Sequence, residues 1–125
     1  MVEKEVIDAG TPKVGPYSHA IKVGNLIFVS GQGAAPGTTN ITEQTTTGFE
    51  KVKTILEAAG AHVSNIVKVT VYLKNMGDFK SMNSAYKSFF ESNGVDEKFP
   101  ARTTIEVSNL PLESMLIEID VIATI

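Results

Sequence analysis

Arg102 follows Phe99-Pro100-Ala101 and opens a run in which Thr104 and Glu106 share its face under period-two alternation. A guanidinium offers two parallel donors that grip a carboxylate and fix its plane; the same group serves equally as half of an edge ion pair. Asn83 stands four residues after Phe79 and three before Tyr86, inside the apolar stripe of a helix. An amide buried there without partners costs about 1 to 3 kcal/mol, so it either bonds a backbone group or faces a cavity that takes a polar ligand. Glu118 and Asp120 interrupt the apolar run Met115 to Ala123. A carboxylate in a partly desolvated cleft has its pKa raised and can shuttle a proton near neutral pH, the alternative being solvated charges or interface ion pairs. Tyr17 and Ser18 follow the rigid Gly15-Pro16 turn, which aims the phenol at a cleft or into ordinary packing. Ser30-Gly31 ends a strand with a hydroxyl and a free backbone N–H.

Other chemistries are excluded by residue type. With no Cys there is no thiol nucleophile, disulfide or thiolate metal site. The two histidines, His19 and His62, lie far apart and neither belongs to a ligand spacing such as HExxH, so no metal is expected. Gly31-Gln-Gly33 begins like a dinucleotide fingerprint, but Pro36 takes the third glycine's place and no helix follows directly. Ser30 has no GxSxG elbow. A formal net charge of -3 argues against a broad nucleic-acid footprint. The charged start Met1-Val-Glu-Lys-Glu5 reads as neither signal nor transit peptide, and no apolar run reaches membrane-spanning length. The expected setting is therefore intracellular, in the cytoplasm, and the sequon Asn40-Ile41-Thr42 is read as accidental.

The elements that must hold these residues follow from periodicity. At 125 residues, 42% hydrophobic and 20% charged, the chain suits one domain over 1–125. A strand is expected near Lys4 to Ile7, then a hairpin, His19 to Val23 and Leu26 to Ser30, turning at Gly24-Asn25. Gly31 to Gly37 reads as a loop. Thr42 can cap a helix with the stripe Phe49, Val52, Ile55, Leu56 and Ala59, stopped by Gly60. Ile66 to Leu73 reads as a central strand with Val67, Val69, Val71 and Leu73 on one face. Asp78 offers a cap for a second helix carrying Phe79, Met82, Tyr86, Phe89 and Phe90 and ending before Gly94. Strands Arg102 to Val107 and Met115 to Thr124 complete an α+β order, β-β-β-α-β-α-β-β. That order predicts one mixed six-stranded sheet with both helices on one face. The other face, with Ile66, Thr70, Tyr72, Leu116 and Ile122, is only partly polar, so self-association through it is expected.

Five segments in order, Gly15-Pro-Tyr-Ser-His-Ala20, Val29-Ser-Gly-Gln32, Val67-Lys-Val-Thr-Val-Tyr-Leu73, Met82-Asn83 through Tyr86 to Phe89-Phe90, and Pro100-Ala-Arg-Thr-Thr104, resemble the RidA branch of the Rid family. These reactive intermediate deaminases are labelled in older usage L-PSP endoribonucleases or translation inhibitors. The likeness runs from about residue 5 to Ala123. It implies a chorismate-mutase-like fold assembled as a homotrimer, the sheets packed inward as a barrel and the sites in clefts between subunits. It implies hydrolysis of enamines and imines such as 2-aminoacrylate to a 2-keto acid and ammonia, without a cofactor. By motif, Arg102 corresponds to the carboxylate clamp, Asn83 to the helix amide facing the site, and Tyr17 to the tyrosine of the GPYS motif. Ser30 and Gly31 correspond to the strand end lining the pocket, and Glu118 to the carboxylate that positions water. Thr104 stands where several members carry Cys, compatible with a hydrogen-bonding wall. The segment from Gln32 to Glu43 is shorter than the family's usual loop, and Pro111 and Glu118 are one residue further apart than in its common pattern.

Overall fold

Alternating strands build one six-stranded mixed sheet, described in a computed structural model that covers residues 3–34 and 36–125. Met1 and Val2, from the charged start, and Ala35, from the expected small-residue loop, lie outside the described residues. The strands are β1 (Lys4–Ile7), β2 (Ala20–Val23), β3 (Leu26–Gln32), β4 (Ile66–Leu73), β5 (Ala101–Glu106) and β6 (Ile117–Thr124). They lie in the order β1-β2-β3-β6-β4-β5. Every neighbouring pair is antiparallel except β4 and β5, which need a crossover and receive it from a helix. β4 is thus an inner strand beside the edge strand β5, while β3 and β6 hold the centre.

Helices α1 (Ile41–Ala58) and α2 (Phe79–Ser92) cover one face, as the element order requires. One row of paired residues crosses the sheet under them: Ile7, Ala20, Val29, Val121 and Val69, all buried. Phe49 of α1 joins the helices, stacking on Phe89 at 5.0 Å and meeting Tyr86 and Phe90 edge-on at 5.3 and 5.4 Å. No helix among the described residues is long and apolar enough to cross a membrane.

Several expected details move. The N-cap of α1 is Asn40, not Thr42: Asn40 Oδ1 accepts the Glu43 N–H at 2.8 Å. Starting there lets Ile41 enter the helix and be buried, and Asn caps better than Thr. Gly60 follows the helix at φ 78°, the conformation its terminus needs. Asp78 precedes α2 but makes no side-chain cap bond.

In β4 the expected alternation fails at its start. Ile66 pairs with Ala123 and Lys68 with Ile122, so Val67 is an extra, bulged residue. The bulge turns Ile66 into the core and leaves Val67 45% exposed, reversing both expectations. β6 begins at Ile117, not Met115, because the Leu116 N–H is taken by a helix side chain.

The uncovered face carries a second row, Val6, Ile21, Phe28 and Ile122, with Val6 58% and Phe28 43% exposed. Ile105 of β5 adds to it. Beside this apolar strip, the Tyr72 hydroxyl donates to Asp120 Oδ2 at 2.9 Å.

Candidate active site

Glu118 pairs with Tyr72 across β6 and β4 and therefore lies on the uncovered face, near the Ser30-Gly31 end of β3. Between Val29 and Gln32 β3 shifts register against β6, and this irregularity brings the Gly31 backbone against the Glu118 side chain. A Cβ on Gly31 would lie 2.7 Å from Glu118 Oε2 and 2.8 Å from its Cδ, so the carboxyl occupies the space that a side chain would fill. Burial pushes the Glu118 carboxyl above the ordinary glutamate range, and the negative charge of Asp120 adds to this.

Glu118, Gly31, Ser30 and Tyr17 line one cavity of about 420 Å³, walled on its apolar side by Pro111, Leu112 and Met115. The Ser30 hydroxyl donates to Ser18 O at 2.6 Å. Its backbone N–H is not free, as the sequence suggested, but donates to His19 O at 3.0 Å. Tyr17 is 41% exposed, and its hydroxyl accepts the Val14 N–H at 3.4 Å. This half offers a proton-shuttling carboxyl in a partly dry cleft.

Arg102, Asn83 and Thr104 form the other half, on the helix side of the sheet. Arg102 pairs with Val69 and so extends the buried row to the edge strand. Its guanidinium carbon lies 4.7 Å from the Tyr86 ring centre and 5.7 Å from that of Phe79, and Nη1 is 4.0 Å from Met82 Sδ. Among the described residues no carboxylate stands within salt-bridge distance of it. The edge ion pair is therefore not formed among the described residues, and a guanidinium fork of this kind suits a carboxylate.

Asn83 Oδ1, Thr104 Oγ1 and Tyr86 Oη are all buried without a hydrogen-bond partner. Burial pushes the Tyr86 phenol up to about 12, partly offset by Arg102, so it stays a neutral donor. These three orphaned polar atoms, one of them on the ring that Arg102 overlies, could be satisfied by a polar ligand or a second chain. Of these, Tyr86 escaped the sequence reading because an aromatic at helical spacing is indistinguishable from core.

Two buried polar side chains position the cavity walls. Gln44 Nε2 donates to Thr38 O and Ser114 O, each at 3.0 Å, and its Oε1 accepts the Leu116 N–H at 2.7 Å. It thereby ties the segment carrying Leu112 and Met115 to α1. His19, weighed in the sequence only as a metal ligand, accepts the Ala9 N–H on Nδ1 at 3.0 Å. Nε2 consequently carries the proton and faces Thr11 Oγ1 at 3.0 Å. This holds the stretch that leads to Tyr17. Gln44 had a legible signal, since it falls four residues before Gly48 and eight before Val52 on the buried stripe. No group of residues that could hold a metal occurs among the described residues.

Residues 9–125 match the family described as Endoribonuclease L-PSP. The chain belongs to that family. This is the older label of the Rid proteins, so the resemblance carried by the five segments stands. A RutC family protein of Pyrococcus abyssi is 45% identical over 130 residues, covering 98% of each chain. The 2-iminobutanoate/2-iminopropanoate deaminase of Escherichia coli is 38% identical over 117 residues, covering 88% of each. The crystal structure of Escherichia coli TdcF with bound serine superposes with a TM-score of 0.88 at 31% identity, covering 97% of this chain and 98% of that one. Homologues named as imine deaminases support an enzymatic role at the level of the family.

Proposed function

We propose that this protein is a 2-imino acid deaminase, working as a homotrimer with its sites between copies, that hydrolyses enamines and imines such as 2-aminoacrylate. The observation that carries the reading is the placement of a free arginine and a proton-shuttling carboxyl on opposite faces of one sheet. Within one chain the two lie on opposite faces of the sheet, so in the proposed trimer, packed through the apolar face, Arg102 of one copy and Glu118 of the next complete one site.

In this arrangement Arg102 holds the substrate carboxylate by two charge-assisted bonds, and Asn83, Thr104 and Tyr86 offer it their unpaired atoms. A proton added to the enamine carbon gives the iminium. Glu118 orients a water and takes its proton as the oxygen attacks the iminium carbon; it then returns the proton to the nitrogen and accepts the hydroxyl proton as the C–N bond breaks and the C=O forms, giving keto acid and ammonia. The residues themselves suffice, and no cofactor is called for.

A second reading, a small-carboxylate binder without turnover, is supported by the serine named in the TdcF structure. Ammonia release from 2-aminoacrylate made in situ by a dehydratase decides between them. Turnover above the spontaneous rate in wild type but not in Arg102→Ala is expected. Wild type at the spontaneous rate overturns the deaminase.

A further inference from the structure

Lys51 is a cation in the wall of the Glu118 cavity, and the reaction outlined above does not use it. It rises from α1, half-buried, and its Nζ donates to Gly33 O at 2.6 Å. An ammonium has three donors, and the Gly33 carbonyl takes one. Among the described residues no carboxylate lies within salt-bridge distance of it. Glu118 rests against Gly31, and Lys51 is anchored at Gly33, two residues further along the same stretch.

We propose that Lys51 is a specificity residue that binds an acidic group on the substrate side chain, so that the cavity favours 2-imino dicarboxylic acids over small monocarboxylic ones. The inference rests on the deaminase reading for the word substrate, though not for the binding itself. With the first carboxylate held by Arg102 and the reacting carbon beside Glu118, a side chain of two or three bonds reaches towards Gly33. There the free N–H donors of Lys51 meet a second carboxylate in a partly desolvated setting, where a charge-assisted bond counts for more than in water.

The test uses stable keto acids and needs no turnover. Calorimetric titration compares 2-oxoglutarate with 2-oxobutanoate on wild type, Lys51→Gln and Lys51→Arg. Gln keeps a donor for Gly33 O and removes the charge, whereas Arg keeps the charge. Wild type is expected to bind the diacid about tenfold more tightly, Lys51→Gln to lose that preference, and Lys51→Arg to retain most of it. Equal or weaker binding of the diacid by wild type, an equal change for both acids in Lys51→Gln, or binding of neither acid overturns the subsite. Hydrolysis of imines made in situ from glutamate and 2-aminobutyrate by amino-acid oxidases is followed in parallel. If neither imine decays faster than its spontaneous rate, the deaminase reading falls, while the titration still decides the role of Lys51.

Discussion

Arg102 and Glu118 flank β4 from opposite faces of the sheet: Arg102 pairs with Val69 under the helices, and Glu118 pairs with Tyr72 on the uncovered side. Pairing register alone dictates this, because partners across a ladder share a face and successive residues alternate. The arginine and the carboxyl that the proposed reaction uses together are thus built on opposite faces of each chain. In the proposed trimer, assembly joins them.

Gly31 is needed for the position of Glu118, not for the stability of the sheet. The atoms a methyl group there would meet first belong to the flexible end of Glu118, which can swing away. Gly31→Ala is expected to leave the urea midpoint nearly unchanged while lowering kcat/KM about tenfold to a hundredfold, the scale of a 1 Å misplacement. A variant of full activity contradicts the role given to this contact.

The raised pKa of Glu118 has a stability consequence of definite sign. A carboxyl that binds its proton more tightly in the folded chain favours folding most at acid pH, and loses that advantage as the pH rises through its raised value. Glu118→Gln removes the titration. Its stability relative to wild type is expected to climb as the pH rises above the ordinary glutamate range, modestly because the side chain is half in water. Denaturant midpoints measured across that rise check it, and a constant difference refutes it.

Phe28 sits in the middle of the exposed apolar row, paired with Ile21 and Ile122. Light scattering of the wild type is expected to give the mass of three chains. Phe28→Asp, which puts a charge into that row, is expected to shift the mass towards one chain. A wild type that is monomeric at micromolar concentration excludes the assembly.

Gln44 satisfies three backbone groups from the buried face of α1. Gln44→Leu keeps the volume and removes those three bonds, leaving the Leu116 N–H without the Gln44 acceptor, at a cost of about 1 to 3 kcal/mol in a denaturant melt. Amide exchange is expected to quicken at Leu116 and its neighbours, since the segment loses its tie to the helix. Unaltered exchange there leaves the latch without function.

The strands and helices are legible because their apolar residues repeat at two or at three to four; Asn83 stands out as a polar group inside such a stripe, and Arg102 as the cation that opens a strand after Pro100. Val67 was misplaced because a bulge leaves no mark in an unbroken run of apolar and β-branched residues. Asn40 was passed over because two capping residues flank Ile41, and packing of Ile41 decides between them. Tyr86 and Lys51 look like ordinary core and surface side chains in sequence. Only their neighbours, an unpaired arginine and an open cavity, mark them out.

The division of the site between copies is tested most directly by complementation. Arg102→Ala and Glu118→Gln chains, each inactive alone, are mixed in equal amounts, unfolded together and refolded. If each site takes Arg102 from one copy and Glu118 from another, each mixed trimer has one intact site, about a quarter of all sites in the refolded sample are intact, and about that fraction of wild-type deaminase activity returns. A mixture as inactive as its two parents would show that both residues must come from the same chain, and would contradict the account.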